Sequence, residues 1–151
     1  MRSVIEEAHE LFEAVAEEKD LSLEMACPQR PLIVYGDRSK LQRAISNLID
    51  NAVKFTPEGG RILIEAYDSL AQVIIRISDT GPGLEPKDIE RVFERFYRGD
   101  RSRSTPGNGL GLSLVKAVIK AYGGEISVQS TPGRGCTFTV YLPRCYMEDH
   151  D

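Results

Sequence analysis

Several things are scarce in this sequence, and each scarcity narrows the field. Cysteine occurs three times, at Cys27, Cys136 and Cys145, an odd number with no two at metal-ligand spacing. That argues against a disulfide framework and reads as reduced thiols that serve packing in a cytoplasmic protein. Only His9 and His150 could add imidazole ligands, so no structural zinc site is expected. Apolar runs are a few residues long, far short of the ~20 that a membrane span needs, and no signal-peptide pattern opens the chain. Basic charge is also short: 19 Lys and Arg stand against 23 Asp and Glu, a net charge of −4. A dedicated nucleic-acid binder would carry the opposite excess. Repeats and low-complexity tracts are missing too.

What is present fits one ordinary globular domain. The 151 residues are 41% hydrophobic and 28% charged. A chain of this length buries roughly 68–70% of its unfolded surface and needs no staple. Ser3 to Lys19 carries Val4/Ile5, Ala8, Leu11/Phe12 and Val15 at helical spacing. Two short strands are expected next, Ser22–Ala26 and Leu32–Tyr35. Asp37 after Gly36 is a good N-cap for a helix to about Phe55, with a core stripe of Leu41, Ile45, Leu48 and Ala52, stopped by Thr56-Pro57-Glu58-Gly59-Gly60. Period-2 alternation over Arg61–Tyr67 and Gln72–Ser78, with a short link, predicts an antiparallel hairpin. A short helix over Pro86–Phe93 begins with proline in its first turn. A polar Arg- and Ser-rich stretch follows. A helix over Leu110–Tyr122 then ends at Gly123-Gly124. Strands Glu125–Gln129 and Cys136–Leu142 close the domain around Thr131-Pro132-Gly133-Arg134-Gly135. Without strict βαβ alternation, the order predicts an α+β fold: a two-layer α/β sandwich, its mixed sheet of about five strands packed on three helices.

Chemistry concentrates in a few blocks. On the helix from Asp37, Asn47, Asn51 and Lys54 fall within a ~60° wedge, about a quarter turn from the apolar stripe. Two carboxamides and an ammonium suit a divalent metal carrying phosphates, since amide oxygens are hard ligands for Mg²⁺ and Lys neutralises phosphate charge. A polar helix face is the plain alternative. Asp79-Thr80-Gly81-Pro82-Gly83 ends a strand, where Asp79 can accept from a ligand's amine and Gly81 and Gly83 admit a flat ring. A glycine turn capped by Asp would look the same. Gly107-Asn108-Gly109-Leu110-Gly111-Leu112 opens a helix, where exposed N–H groups at a positive terminus suit polyphosphate. It is neither a Walker P-loop nor a Rossmann fingerprint. Between these lies Phe93-Glu94-Arg95-Phe96-Tyr97-Arg98, then Arg101 and Arg103, either a hinged lid whose arginines reach a γ-phosphate or a solvated loop.

In combination the blocks resemble the ATP-binding catalytic domain of sensor histidine kinases, of the Bergerat-type ATPase superfamily shared with DNA gyrase, MutL and a heat-shock chaperone. Asn47-Leu48-Ile49-Asp50-Asn51-Ala52-Val53-Lys54-Phe55 is similar to the N box, Asp79–Gly83 to the G1 box, Phe93–Phe96 to the F box and Gly107–Leu112 to the G2 box. Gly133-Arg134-Gly135-Cys136-Thr137-Phe138 with Leu142-Pro143 resembles the closing strand signature. The resemblance implies roles. Asn51 would ligate Mg²⁺ with Asn47 assisting, and Lys54 would contact phosphate. Asp79 would bond the adenine amine, with Gly81 and Gly83 close to the base and Phe55 against the ring. Phe96 belongs to the lid, Arg98 would reach the γ-phosphate, and Gly107, Gly109, Leu110, Gly111 and Leu112 would form the hinge and phosphate contacts. The domain would span 21–143, with a flexible ATP lid at about 95–108. Residues 1–20 would end an interdomain linker helix, and 144–151 would form a frayed tail.

Hydrolytic relatives such as gyrase place a Glu one turn before the metal Asn. Here that position is Asn47, which cannot act as a general base. Phosphoryl transfer to a protein is therefore expected over hydrolysis. The nucleophile is not obvious: His9-Glu10-Leu11 superficially resembles a phosphoacceptor motif, but no Pro follows and there is no room for a helical hairpin. The resemblance thus implies a piece of a larger kinase that uses ATP and Mg²⁺, phosphorylates a histidine of a separate dimerisation domain and serves a response regulator. The isolated domain is expected to be monomeric and cytoplasmic, with a homodimeric parent that the family allows to be anchored in the inner membrane. The alternative is a free-standing protein-serine kinase of the anti-sigma-factor type. A gyrase-like ATPase ranks last.

Overall fold

The longest helix begins where its cap dictates. In a computed structural model that describes residues 1–89, 91–94 and 111–145, Asp37 is extended (φ −72°, ψ 121°) and its carboxylate accepts from the N–H groups of Ser39 and Lys40 at 2.8 and 3.2 Å. Helix α2 then runs Arg38–Phe55 and buries Leu41, Ala44, Ile45, Leu48, Ile49, Ala52 and Val53. It follows α1 (Arg2–Glu18) and β1 (Ser22–Ala26). After it come β2 (Arg61–Asp68), β3 (Gln72–Asp79), the single turn α3 (Pro86–Ile89), α4 (Gly111–Ala121), β4 (Glu125–Thr131) and β5 (Gly135–Pro143).

The five strands form one sheet in the order β1-β2-β3-β5-β4. β1 and β2 are parallel, and every other pair is antiparallel. Alternation does its ordinary work: Ile62, Ile64 and Ala66 of β2 and Val73, Ile75 and Ile77 of β3 are buried, while their odd-phase neighbours are half-buried. The buried phase meets α2, which lies between α1 and α4, so the sandwich has two layers and one core. Helix α4 ends in a Schellman motif at Gly123 (φ +77°), with Gly124 N–H on the Ile119 carbonyl and Gly123 N–H on Lys120.

Three features depart from the sequence pattern. Leu32–Tyr35 is not a strand; only Val34 bridges to Arg144. Leu32 is buried and Pro31 has no N–H to donate, and the segment makes a single bridge rather than a ladder. Of the helix expected over Pro86–Phe93, Pro86–Ile89 is helical and 91–93 form a turn. In α1 the packed stripe is Val4, Ile5, Ala8 and Ala16, with Phe12 at its margin, leaving Leu11 and Val15 exposed. This helix packs on α2 and β1, and the His9 ring donates from Nε2 to the Leu23 carbonyl at 3.0 Å. Past β5, Arg144 N–H bonds Ala71 O and Cys145 N–H bonds Ile33 O.

Candidate functional site

One end of the site is built into the sheet. Asp79 is the last residue of β3, paired between Ile62 of β2 and Cys136 of β5, and it is 7% exposed. A carboxylate so placed is costly unless it is hydrogen-bonded. Its Oδ1 accepts from the Gly81 N–H at 2.9 Å, which folds the 79–83 segment into a tight turn. A Cβ on Gly81 would stand 2.9 Å from the Phe55 carbonyl, so this turn lies against the last residue of α2. Gly83 sits at φ +76°, where a Cβ would approach the Thr131 carbonyl to 2.6 Å.

The turn is fastened from the other side by residues that sequence reasoning did not assign. Gly133 N–H donates to the Pro82 carbonyl at 2.6 Å. Ser130 Oγ accepts from Leu84 N–H at 2.6 Å and donates to the Gly135 carbonyl at 3.0 Å. Gly135, at φ +107°, allows the closest approach: a Cβ there would lie 2.0 Å from the Asp79 carbonyl oxygen. The Gly133-Arg134-Gly135 spacing was a visible signal of a tight turn. That the turn touches Asp79 was not, because 52 or more residues separate them.

The other end is built from side chains on helices. Asn47 and Asn51 share a face of α2 and are half-buried. Lys54 does not extend that row alone: its Nζ lies 3.0 Å from Asp50 Oδ2, an exposed i, i+4 pair. Such a pair holds by only ~0.2–0.5 kcal/mol, so a phosphate can displace it. Helix α4, described from Gly111, packs on α2; Gly111 is exposed with nothing among the described residues within 4 Å of a notional Cβ, and Leu112 packs on the core margin. Phe55 is half-buried. Phe93 is anchored edge-on against Phe138 at 6.0 Å, with Lys116 Nζ 5.4 Å from its ring. Phe96, Arg98, Gly107, Gly109, Leu110 and the whole expected lid lie outside the described residues.

The donor set narrows the chemistry. Among the described residues no group of three or more His, Cys, Asp or Glu could hold a metal. A metal here would therefore rest on amide oxygens and on the ligand's own phosphates. An open groove elsewhere, lined by Glu10, Glu13, Glu17 and Asp20 beside Leu21 and Leu23, repels polyphosphate by its charge. No described helix is long and apolar enough to cross a membrane.

Comparison with known proteins agrees with this geometry. Residues 36–145 match the family described as histidine kinase-, DNA gyrase B-, and HSP90-like ATPase. The sensor-like histidine kinase SenX3 of Mycobacterium tuberculosis is 40% identical over 151 residues, which is 99% of this chain and 37% of that protein. The sensor histidine kinase WalK of Bacillus subtilis is 40% identical over 128 residues, 82% of this chain and 21% of its own. The chain thus spans well under half the length of these relatives. The mycobacterial sensor histidine kinase MprB superposes with a TM-score of 0.84 at 36% identity, covering 97% of both chains. Histidine kinase ThkA in complex with response regulator protein TrrA superposes at 0.80 with 25% identity, over 96% of this chain and 40% of that one. The sheet order, the buried strand-end Asp79 and these matches have one reading: the chain belongs to the histidine kinase-, DNA gyrase B-, and HSP90-like ATPase family, as an ATP-binding catalytic domain of the sensor-histidine-kinase type.

Proposed function

We propose that this domain binds Mg-ATP between the 79–83 turn, the polar row of α2 and the start of α4, and donates the γ-phosphoryl group to a histidine on a separate dimerisation domain of a two-component sensor kinase. The observation that carries the reading is Asp79, a buried carboxylate at a strand end with a turn beside it in which Gly81 and Gly83 have no room for a Cβ. Asp79 accepts from the adenine amine, Gly81 and Gly83 leave room for the ring, and Phe55 packs against it. Asn51 holds Mg²⁺ through its amide oxygen with Asn47 assisting, and the ion neutralises phosphate charge. Lys54 exchanges Asp50 for a phosphate. Arg98 reaches the γ-phosphate, Phe96 belongs to the lid, and Gly107, Gly109, Leu110, Gly111 and Leu112 form the hinge at the positive end of α4.

Asn47 leaves that position, one turn before Asn51, without a carboxylate to activate water, which favours transfer to a protein nucleophile. His9 reads as an ordinary residue of α1, with its Nε2 3.0 Å from the Leu23 carbonyl and no proline after its Glu. The response-regulator complex of ThkA supports a response regulator as the downstream partner of the parent kinase. Any membrane anchor of the parent is expected outside the described residues. Calorimetric titration of a non-hydrolysable ATP analogue, with Mg²⁺ and with chelator, tests the site. Asp79→Asn should weaken Mg²⁺-dependent binding by about tenfold or more, the worth of one hydrogen bond to a charged acceptor. With Mg-ATP in place of the analogue, adding the dimerisation domain in trans should then move the γ-phosphoryl group to histidine and release ADP. Phosphate on a partner's serine would support the anti-sigma-factor alternative instead.

A further inference from the structure

A helix end leaves four carbonyls to be satisfied, and the end of α2 has too few local donors to do it. The Ala52 carbonyl takes both the Thr56 N–H, at 3.0 Å, and the Thr56 hydroxyl, at 2.7 Å. The Val53 carbonyl would next look to the N–H of residue 57, which is Pro57 and has none. Thr56 has moreover turned extended (φ −88°, ψ 122°), so the chain beyond it has left the helix axis. The Phe55 carbonyl lies against Gly81. The missing donor comes from another helix. Lys19 Nζ donates to the Val53 carbonyl at 2.6 Å and to the Lys54 carbonyl at 3.0 Å.

Lys19 is itself fixed at the root. It caps α1, and Asp20 takes a left-handed conformation (φ +56°) that closes a Schellman-type end: Leu21 N–H bonds the Ala16 carbonyl and Asp20 N–H bonds Glu17. The next residues grip the far side of the same corner. Gly59 N–H donates to the Asp20 carbonyl at 2.9 Å and Ser22 N–H to the Gly60 carbonyl at 3.0 Å. Residues 19–22 thus hold both sides of the Thr56–Gly60 corner, Val53 and Lys54 before it and Gly59 and Gly60 at its end, with a cation at the negative end of α2.

We infer that Lys19 is a positioning residue for the nucleotide site. By capping Val53 and Lys54 it holds the last turn of α2, which carries Asn51, Lys54 and Phe55, in register with the 79–83 turn. It also makes the orientation of α1 an input to nucleotide affinity. The inference rests on the nucleotide-binding reading of the site. Without the ammonium the last turn frays, and apparent affinity falls with the fraction of molecules that keep the turn formed.

The test measures affinity for a non-hydrolysable ATP analogue with Mg²⁺, thermal unfolding, and the amide resonances of Lys54, Phe55 and Gly81 in wild type, Lys19→Met and Lys19→Arg. Lys19→Met keeps the stem and removes the donor. It should bind about five- to tenfold more weakly well below its melting temperature and shift those three resonances. Lys19→Arg should return affinity to within about twofold of wild type. Lys19→Gln, with one neutral donor, replaces Met if that variant does not fold, and should fall between. A Lys19→Met or Lys19→Gln variant that melts lower but binds like wild type would overturn the inference and leave the site intact. Wild type that fails to bind at all would instead overturn the reading of the site.

Discussion

The base end and the phosphate end of the site are made in different ways. At the base end, Asp79, Gly81 and Gly83 are buried and clamped between α2 and the β4–β5 turn, with backbone contacts so close that hydrogen is the only side chain that fits. At the phosphate end, Asn47 and Asn51 are half-buried, Lys54 rests on an exposed partner, and Gly111 stands clear of the other described residues. On the proposed reading, recognition of the base is built into the fold, because the groups that would shape it also hold the sheet corner together. Handling of phosphate is left to side chains that the core does not need. Damage at the first end should cost stability and binding together. Damage at the second should cost binding alone.

The sharpest way to break this comparison is one substitution made at both ends. Gly135→Ala drives a methyl into the Asp79 carbonyl at a backbone angle that L-residues avoid, so it should cost about 3 kcal/mol or more. In a domain of this size that is a fall of roughly 10 °C in Tm. Gly111→Ala should leave stability within about 1 kcal/mol, since nothing lies near the added methyl. Equal melting temperatures for the two variants would dissolve the distinction. A smaller effect is expected from Asn51→Ala, which should lose about tenfold or more in Mg²⁺-dependent nucleotide affinity while its Tm stays within a few degrees of wild type. Chelator should weaken the variant no further; a chelator effect as large as in wild type would move the metal away from Asn51.

The smallest effect isolates a carboxylate at the opposite end of the same hairpin. Asp68 ends β2 as Asp79 ends β3, yet its side chain is only 3% exposed and lies between Arg30 and Arg144. The hydrogen bonds from Arg30, with the Arg144 charge beside them, hold its carboxyl below the usual carboxylate range despite some desolvation. A lowered folded-state pKa stabilises above the unfolded value of about 4, and that contribution is lost as pH falls through the folded value. The stability gap between wild type and Asp68→Asn, read by urea denaturation, should therefore be full at neutral pH and close below about pH 4. Nucleotide affinity at neutral pH should not change, since Asp68 has a holding role only.

Much of this was legible in the chain. The α2 cap, its stripe and its stop lie within a few residues of each other, so local backbone chemistry specifies them. The β2–β3 hairpin and the Gly123 end of α4 are equally local. The polar row of α2 could be seen from periodicity, but the turn of Lys54 toward Asp50 could not, because rotamer choice depends on what else is nearby. The strand expected at Leu32–Tyr35 failed for a tertiary reason: Leu32 was needed in the core, and the segment makes a single bridge rather than a ladder. The exposed Leu11 and Val15 show the same limit, since two apolar phases were available on α1 and only packing chose between them.

By itself, then, the sequence determined most of the elements, the Asp37 and Gly123 caps and the order of the blocks that resemble a nucleotide site, because each depends on neighbours a turn or a strand apart. Only the tertiary structure decided what Asp79 rests on, which donor replaces the N–H that Pro57 lacks, and which carboxylate of the hairpin is neutralised by arginine. The Lys19–Val53 and Arg30–Asp68 contacts join residues 34 and 38 positions apart, and their geometry exists only once the fold has brought separate corners of the chain within hydrogen-bond reach.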